Sequence, residues 1–170
     1  ATRALHGVLE SNLAATTAWL GRWDEAEELA RAALEDKLAA GTFSEVVSTE
    51  VLLARIERGR GAPLPTGGRV PPLIDEVERT GDPRLRVEAF LDLAEELARE
   101  DELPSAARVL ECSKAALLAL DASEPILDAL YQHVEGLLRG LSGEPAAGLV
   151  VIDAAARTLD KLHGAFWAAR

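Results

Sequence analysis

The alternation of apolar and polar positions along this chain has the period of a helix throughout. Leu5, Val8, Leu9, Leu13, Ala14, Thr17 and Leu20 recur at three- and four-residue steps and predict a helix over about 3–20 with one apolar face. Ala26, Leu29, Ala30, Ala33 and Leu34 form a second stripe and predict a helix over about 24–39 that ends near Gly41. Val47, Val51, Leu52, Ala54 and Ile56 predict a third over about 44–58. Pro71 and Pro72 can open a short helix to about Thr80, with Leu73, Ile74 and Val77 inward. Longer helices follow over about 83–100, 104–120, 124–141 and 145–162, and another begins after Gly164. The β-branched run Leu149, Val150, Val151, Ile152 keeps helical register with Ala155, Ala156 and Leu159, so it reads as a buried helix. No stretch has the two-residue alternation of a strand.

The breaks between helices carry their own chemistry. Gly21 can adopt the left-handed conformation that closes a helix, and Asp24 with Glu27 three residues on looks like a capping pair for the next. Gly81-Asp82-Pro83 ends one helix and starts another, and Gly143-Glu144-Pro145 turns the chain into the last long helix. Residues 58–69 are different, with four glycines, two prolines and the arginines Arg58, Arg60 and Arg69. That stretch reads as a surface loop, or as a loop that contacts an anion or a partner. It is no phosphate-binding loop, because no Gly-Lys-Ser/Thr follows.

Gly21 begins a pattern that recurs. Gly61, Asp101 and Gly143 are its counterparts, at spacings of about 40, 40 and 42 residues. The first copy has Gly21, Trp23, Ala26 and Ala33, preceded by Leu13 and Ala14. The second is degenerate, with Leu53 and Ala54 in place but Thr66 where a small apolar residue belongs. The third has Phe90, Leu93, Ala94, Leu97, Asp101, Ala106 and Leu110, and the fourth has Gly143, Gly148, Ile152 and Ala155. This arrangement of turn residue, aromatic and small residues resembles a tetratricopeptide repeat of unusual length. The first-helix aromatic of that family is missing, since Glu10 stands in its place. The resemblance implies an all-α fold of antiparallel helical hairpins stacked in a right-handed superhelix, an α-solenoid. One domain over 1–170 is expected, with repeats at about 3–41, 43–81, 83–121 and 123–162 and a partial helix at 164–170.

Composition narrows the function. Ala and Leu dominate and aromatics are only 4%, which favours close-packed helices over sheets. The net charge of −11 argues against direct contact with nucleic acid or an anionic membrane, because phosphate binding needs a basic face. No apolar run is long enough to span a bilayer and no signal peptide is evident, so a cytoplasmic location is the default expectation. The absence of Met, even at position 1, suggests a segment cut from a longer protein. Cys112 is the single cysteine and reads as a buried thiol.

Candidate chemistry is sparse. His6, His133 and His163 stand apart in the sequence, and no His-Glu-x-x-His or Cys-x-x-Cys occurs, so neither a metal nor a cofactor is expected. The acidic clusters read as solvated helix faces. No catalytic constellation is present, and the chain reads as a binding protein rather than an enzyme. Positions that line the inner groove of the tetratricopeptide family fall at Ser11, Ala15 and Trp19, then Ser48, Arg55 and Arg58, then Glu88, Leu91, Glu95 and Arg99, then His133 and Leu137. The candidate ligand-binding set is therefore Ser11, Trp19, Ser48, Arg55, Arg58, Glu95, Arg99 and His133. Trp19 also suits simple packing, and Trp23 suits a core position between hairpin helices.

A narrower resemblance lies in Leu20-Gly-Arg-Trp-Asp-Glu-Ala-Glu, Gly143-Glu-Pro-Ala-Ala and Leu162-His-Gly-Ala-Phe-Trp-Ala-Ala-Arg. These phrases look like the long-repeat sensor regions of bacterial LuxR-type, MalT-like transcription regulators that carry a STAND ATPase module. The resemblance implies a protein or small-molecule effector in the concave groove, with ATP and DNA bound by other modules. The alternative is a free-standing adaptor that scaffolds a protein complex. A homodimer through the apolar ends of the array is a further expectation.

Overall fold

The computed structural model describes residues 2–61, 74–75, 77–79 and 81–163, apart from the side chains of residues 43, 44, 58 and 163. Seven helices and no strand lie among them, as the periodicity requires. They are α1 (Thr2–Trp19), α2 (Trp23–Ala40), α3 (Phe43–Gly59), α4 (Pro83–Arg99), α5 (Leu103–Leu118), α6 (Pro125–Leu141) and α7 (Pro145–His163). The chain divides into two compact units, Ala1–Gly81 and Asp82–Arg170. The expected helix at 71–80 is helical at 74–75 and 77–78, with Ile74 and Val77 buried. Most of the loop at 58–69 and the expected helix after Gly164 lie outside the described residues.

In the first unit α1 runs along α2, and α3 packs on α2 and touches α1. Ala14, Ala18, Ala26, Ala30, Leu53 and Ile56 form the core, with Trp23, Leu29, Leu34 and Leu52 packed at its edge. Small residues dominate because they let helix backbones approach closely. In the second unit α4 pairs with α5, α6 pairs with α7, and both α4 and α5 meet α6. Val87, Phe90, Leu93, Leu97, Val109 and Leu127 are buried there. Each such side chain contributes roughly 1.5–3 kcal/mol through burial.

The turns within three helix pairs are closed in one way. Gly21, Asp101 and Gly143 have φ of 74°, 64° and 100°. Each donates its N–H to the carbonyl three residues back: Ala18 at 2.9 Å, Ala98 at 3.2 Å and Gly140 at 3.4 Å. The next residue bonds five back, Arg22 to Thr17, Glu102 to Leu97 and Glu144 to Arg139. This is the Schellman closure, which satisfies carbonyls that a helix end leaves bare. Gly41 closes α2 in the same way, and Gly61 is also left-handed at φ 81°. Five residues after the three turns stand Ala26, Ala106 and Gly148, all buried. Twelve residues after them stand Ala33, Ser113 and Ala155, each fully buried at 0% exposure.

Three expectations need correction. Asp24 does not cap α2: the helix already starts at Trp23, Arg22 holds the cap position without a side-chain bond, and the Asp24 carboxylate pairs with Arg60 at 3.1 Å. The capping role belongs instead to Asp82, whose Oδ1 accepts from the N–H groups of Arg84 and Leu85 at 2.8 and 3.3 Å. The leucine stripe of α1 is not its buried face. Leu5, Leu9, Leu13 and Leu20 are more than half exposed, while Gly7, Ala14, Thr17 and Ala18 are buried. Likewise Leu149 and Val150 on α7 are exposed, because α7 packs on α6 through Gly148, Ile152 and Ala155.

Candidate functional site

The candidate groove residues of the second unit converge. Residues 91, 95 and 99 share one face of α4, since four residues advance a helix by about one turn. Glu95 is 6% exposed. Arg99 donates from Nη2 to Glu95 Oε1 at 2.6 Å, and His133 Nε2, from α6, lies 3.8 Å from the same oxygen. Buried carboxylates need such compensation, and the guanidinium at i+4 provides it. Leu91 is buried one turn earlier on α4, and Glu88 is half-buried with Arg84 at 3.4 Å. The Arg99 side chain is 40% exposed, with a five-donor fork that one carboxylate oxygen does not exhaust. The arrangement can therefore take an acceptor group on Arg99, with the His133 ring beside it.

On the opposite side of α6 a groove of about 250 Å³ lies between α5 and α6, lined by Leu110, Tyr131, Leu138 and Arg139 among others. Burial pushes the Tyr131 phenol above its ordinary range, and the Glu135 and Glu111 carboxylates reinforce the shift.

The candidates of the first unit are placed differently. Ser11 accepts a hydrogen bond from Lys37 Nζ at 3.0 Å, and the same ammonium donates to Thr49 Oγ1 at 2.9 Å and the Glu45 carbonyl at 3.4 Å. Lys37 is 3% exposed and links α1, α2 and α3. Desolvation holds its ammonium below the usual lysine range, opposed by the nearby Glu45 carboxylate. Ser11 thus serves a structural network. Trp19 is 82% exposed, so it does not pack in the core. Ser48 and Arg55 are half-buried on α3, and the side chain of Arg58 lies outside the described set.

An open cleft of about 620 Å³ lies between the α1–α2 turn and the end of α3, with Trp23, Asp24, Gly59 and Arg60 on its walls. The Trp23 ring occupies the space a Cβ on residue 59 would need, 2.7 Å from that point, so Gly59 admits the indole. Trp23, expected in the core, is partly buried and packs against its edge. Arg60 pairs with Glu27 and Asp24 beside it.

His6 and His133, far from other histidines in the sequence, are not isolated in space. His6 Nδ1 lies 2.7 Å from Asp36 Oδ2 and 3.4 Å from Glu10 Oε2. The i, i+4 half of this cluster is visible in the sequence, but Asp36 comes from the next helix and only the fold supplies it. No described helix is long and apolar enough to cross a membrane. Comparisons with models of protein families, with curated proteins and with solved structures find no match to this chain.

Proposed function

We propose that this chain is a tetratricopeptide-like binding module that holds a protein segment or small effector against α4 and α6, as in the sensor regions of LuxR-type bacterial regulators. The observation that carries this reading is the convergence of Glu95, Arg99 and His133, three residues placed on the groove face by the repeat register alone. Supporting it, the turns at Gly21, Asp101 and Gly143 share one closure and the same buried small residues five and twelve positions on. A polar cluster at the edge of an apolar helix pair suits recognition rather than turnover, since binding sites combine apolar walls with a few oriented polar groups.

The test is a thermal-shift screen against sugars, nucleotides and short acidic peptides, repeated on Arg99→Gln and His133→Ala. A ligand at about a hundred times its Kd adds about 2.7 kcal/mol, a rise of several degrees. A hit that both variants weaken supports the α4–α6 site. A hit that neither variant alters sinks it. Should no small compound bind, capture of a defined partner that depends on Arg99 supports the protein-docking form of the same reading.

A further inference from the structure

We propose that His6, Glu10 and Asp36 form a divalent-metal site, best suited to Zn²⁺, that ties α1 to α2. His6 and Glu10 stand four apart on one face of α1. Asp36 comes from α2, and the three donor atoms lie within 4.8 Å of one another. Metal–ligand bonds of about 2.0–2.2 Å place neighbouring donors roughly 3–3.5 Å apart. Of the observed separations from His6 Nδ1, 3.4 Å to Glu10 falls in that range, and the 2.7 Å hydrogen bond to Asp36 is somewhat shorter and would open to admit an ion.

A further observation points to a ligand. Glu10 Oε2 is shielded from solvent and has no hydrogen-bond partner, although it faces the imidazole. A shielded carboxylate oxygen with an unspent lone pair is costly unless something positive takes it up. The approach of the helices is also set at this point. A Cβ on Gly7 would lie 3.0 Å from Lys37 Cγ and 3.1 Å from the Ala33 carbonyl, so the bare glycine eases the close approach of α1 to the turn of α2 that carries Asp36.

One imidazole and two carboxylates balance a divalent charge once Nδ1 is deprotonated. Nitrogen and oxygen donors suit Zn²⁺ among the available first-row ions. His6 is 60% exposed, which leaves room for water in the remaining coordination positions. The nearest buried cation, Lys37, directs its ammonium towards Ser11 and Thr49 and is engaged there.

The experiment is calorimetric titration of the whole chain with ZnCl₂ after chelator treatment, with Co²⁺ absorption as a second readout. The expected result is one equivalent bound, a raised Tm, and visible Co²⁺ bands. Glu10→Gln and Asp36→Asn, which are near-isosteric, should each weaken binding at least tenfold while the circular dichroism stays unchanged. His133→Ala should leave it unchanged. Failure to reach one equivalent at millimolar Zn²⁺ overturns the proposal. Binding that His6→Ala removes but Glu10→Gln and Asp36→Asn leave within twofold also overturns it, because it assigns the ion to a lone surface histidine.

Discussion

Gly136 and Gly148 face each other where α6 crosses α7, and neither could carry a side chain. A Cβ on Gly148 would sit 2.5 Å from the Gly136 carbonyl oxygen and 2.7 Å from the Gly140 nitrogen. A Cβ on Gly136 would meet Ile152 Cγ1 at 2.8 Å and the Gly148 carbonyl at 2.9 Å. Backbone cannot step aside as a flexible side chain can, so the helices must separate. Gly148→Ala is expected to cost at least about 1–3 kcal/mol, the usual range for overpacking. Gly140 is the internal control, because a Cβ there meets nothing within 4 Å. Gly140→Ala should stabilise by up to about 1 kcal/mol through helix propensity. Thermal or urea denaturation of the two variants should therefore move in opposite directions.

Glu27 and Glu57 both approach Arg31, yet their substitution should have opposite effects. Hydrogen bonding from Arg31 chiefly holds Glu27 below the ordinary carboxylate range, and Arg60 adds to it. Glu57 is pushed up by desolvation: its nearest contact with Arg31 is 3.7 Å, and Oε2 is buried without a hydrogen-bond partner. A depressed carboxylate contributes stability that is present above its unfolded pKa and lost as pH falls through the folded value. A raised one makes the folded state more favourable as pH falls from neutral towards that range. At pH 7 Glu27→Gln should therefore destabilise and Glu57→Gln should stabilise. In acid, below about pH 3, both differences should shrink, since Gln resembles a protonated Glu. Urea denaturation midpoints across pH 3–8 check this.

Asp101 occupies a turn position that Gly21 and Gly143 fill elsewhere. Its φ of 64° is the only positive value at a non-glycine among the described residues. A side chain in this region costs roughly 1–2 kcal/mol, and aspartate sits at the tolerant end. Asp101→Gly should raise stability by up to about 1 kcal/mol, and Asp101→Val should lower it by more than Asp101→Ala does. Equilibrium denaturation of the three variants tests the order.

Much of this was legible in the sequence for a physical reason. Helical period and turn chemistry are local, and each of Gly21, Gly61, Asp101 and Gly143 has the left-handed conformation its place in the pattern demands. What periodicity cannot say is whether an apolar stripe is covered. Leu5, Leu9 and Leu13 have the spacing of a core face, but Gly7, Ala14 and Ala18 are the positions that let α2 come close, and the small residues win. Asp24 fits a capping signature that lies two residues out of frame with the true cap position, Arg22. Glu95 and Arg99 are a visible i, i+4 pair, but the arrival of His133 depends on how α4 and α6 pack. Asp36 reaches His6 across 30 residues of sequence, beyond any local signal.

Lys37 offers the sharpest separation of charge from packing. Its side chain passes beneath α1 beside Gly7 and ends among Ser11, Thr49 and the Glu45 carbonyl, with 3% of its surface exposed. The ammonium has hydroxyl and carbonyl acceptors there but is desolvated, while the four-carbon stem fills core space. Thr49 Oγ1 donates to the Glu45 carbonyl at 2.8 Å independently of the lysine, so removing the charge leaves that hydroxyl bonded. Lys37→Met keeps the stem and removes the desolvated charge, and is expected to change stability by less than about 1.5 kcal/mol, as volume-conserving core exchanges do. Lys37→Ala removes the stem and should cost about 2–5 kcal/mol, the range for large-to-small changes in a core. If the ammonium's hydrogen bonds held the three helices together, the two variants would lose stability alike. Urea unfolding followed by Trp23 fluorescence, with Trp19 and Trp167 both replaced by Phe, distinguishes the two outcomes within the first unit.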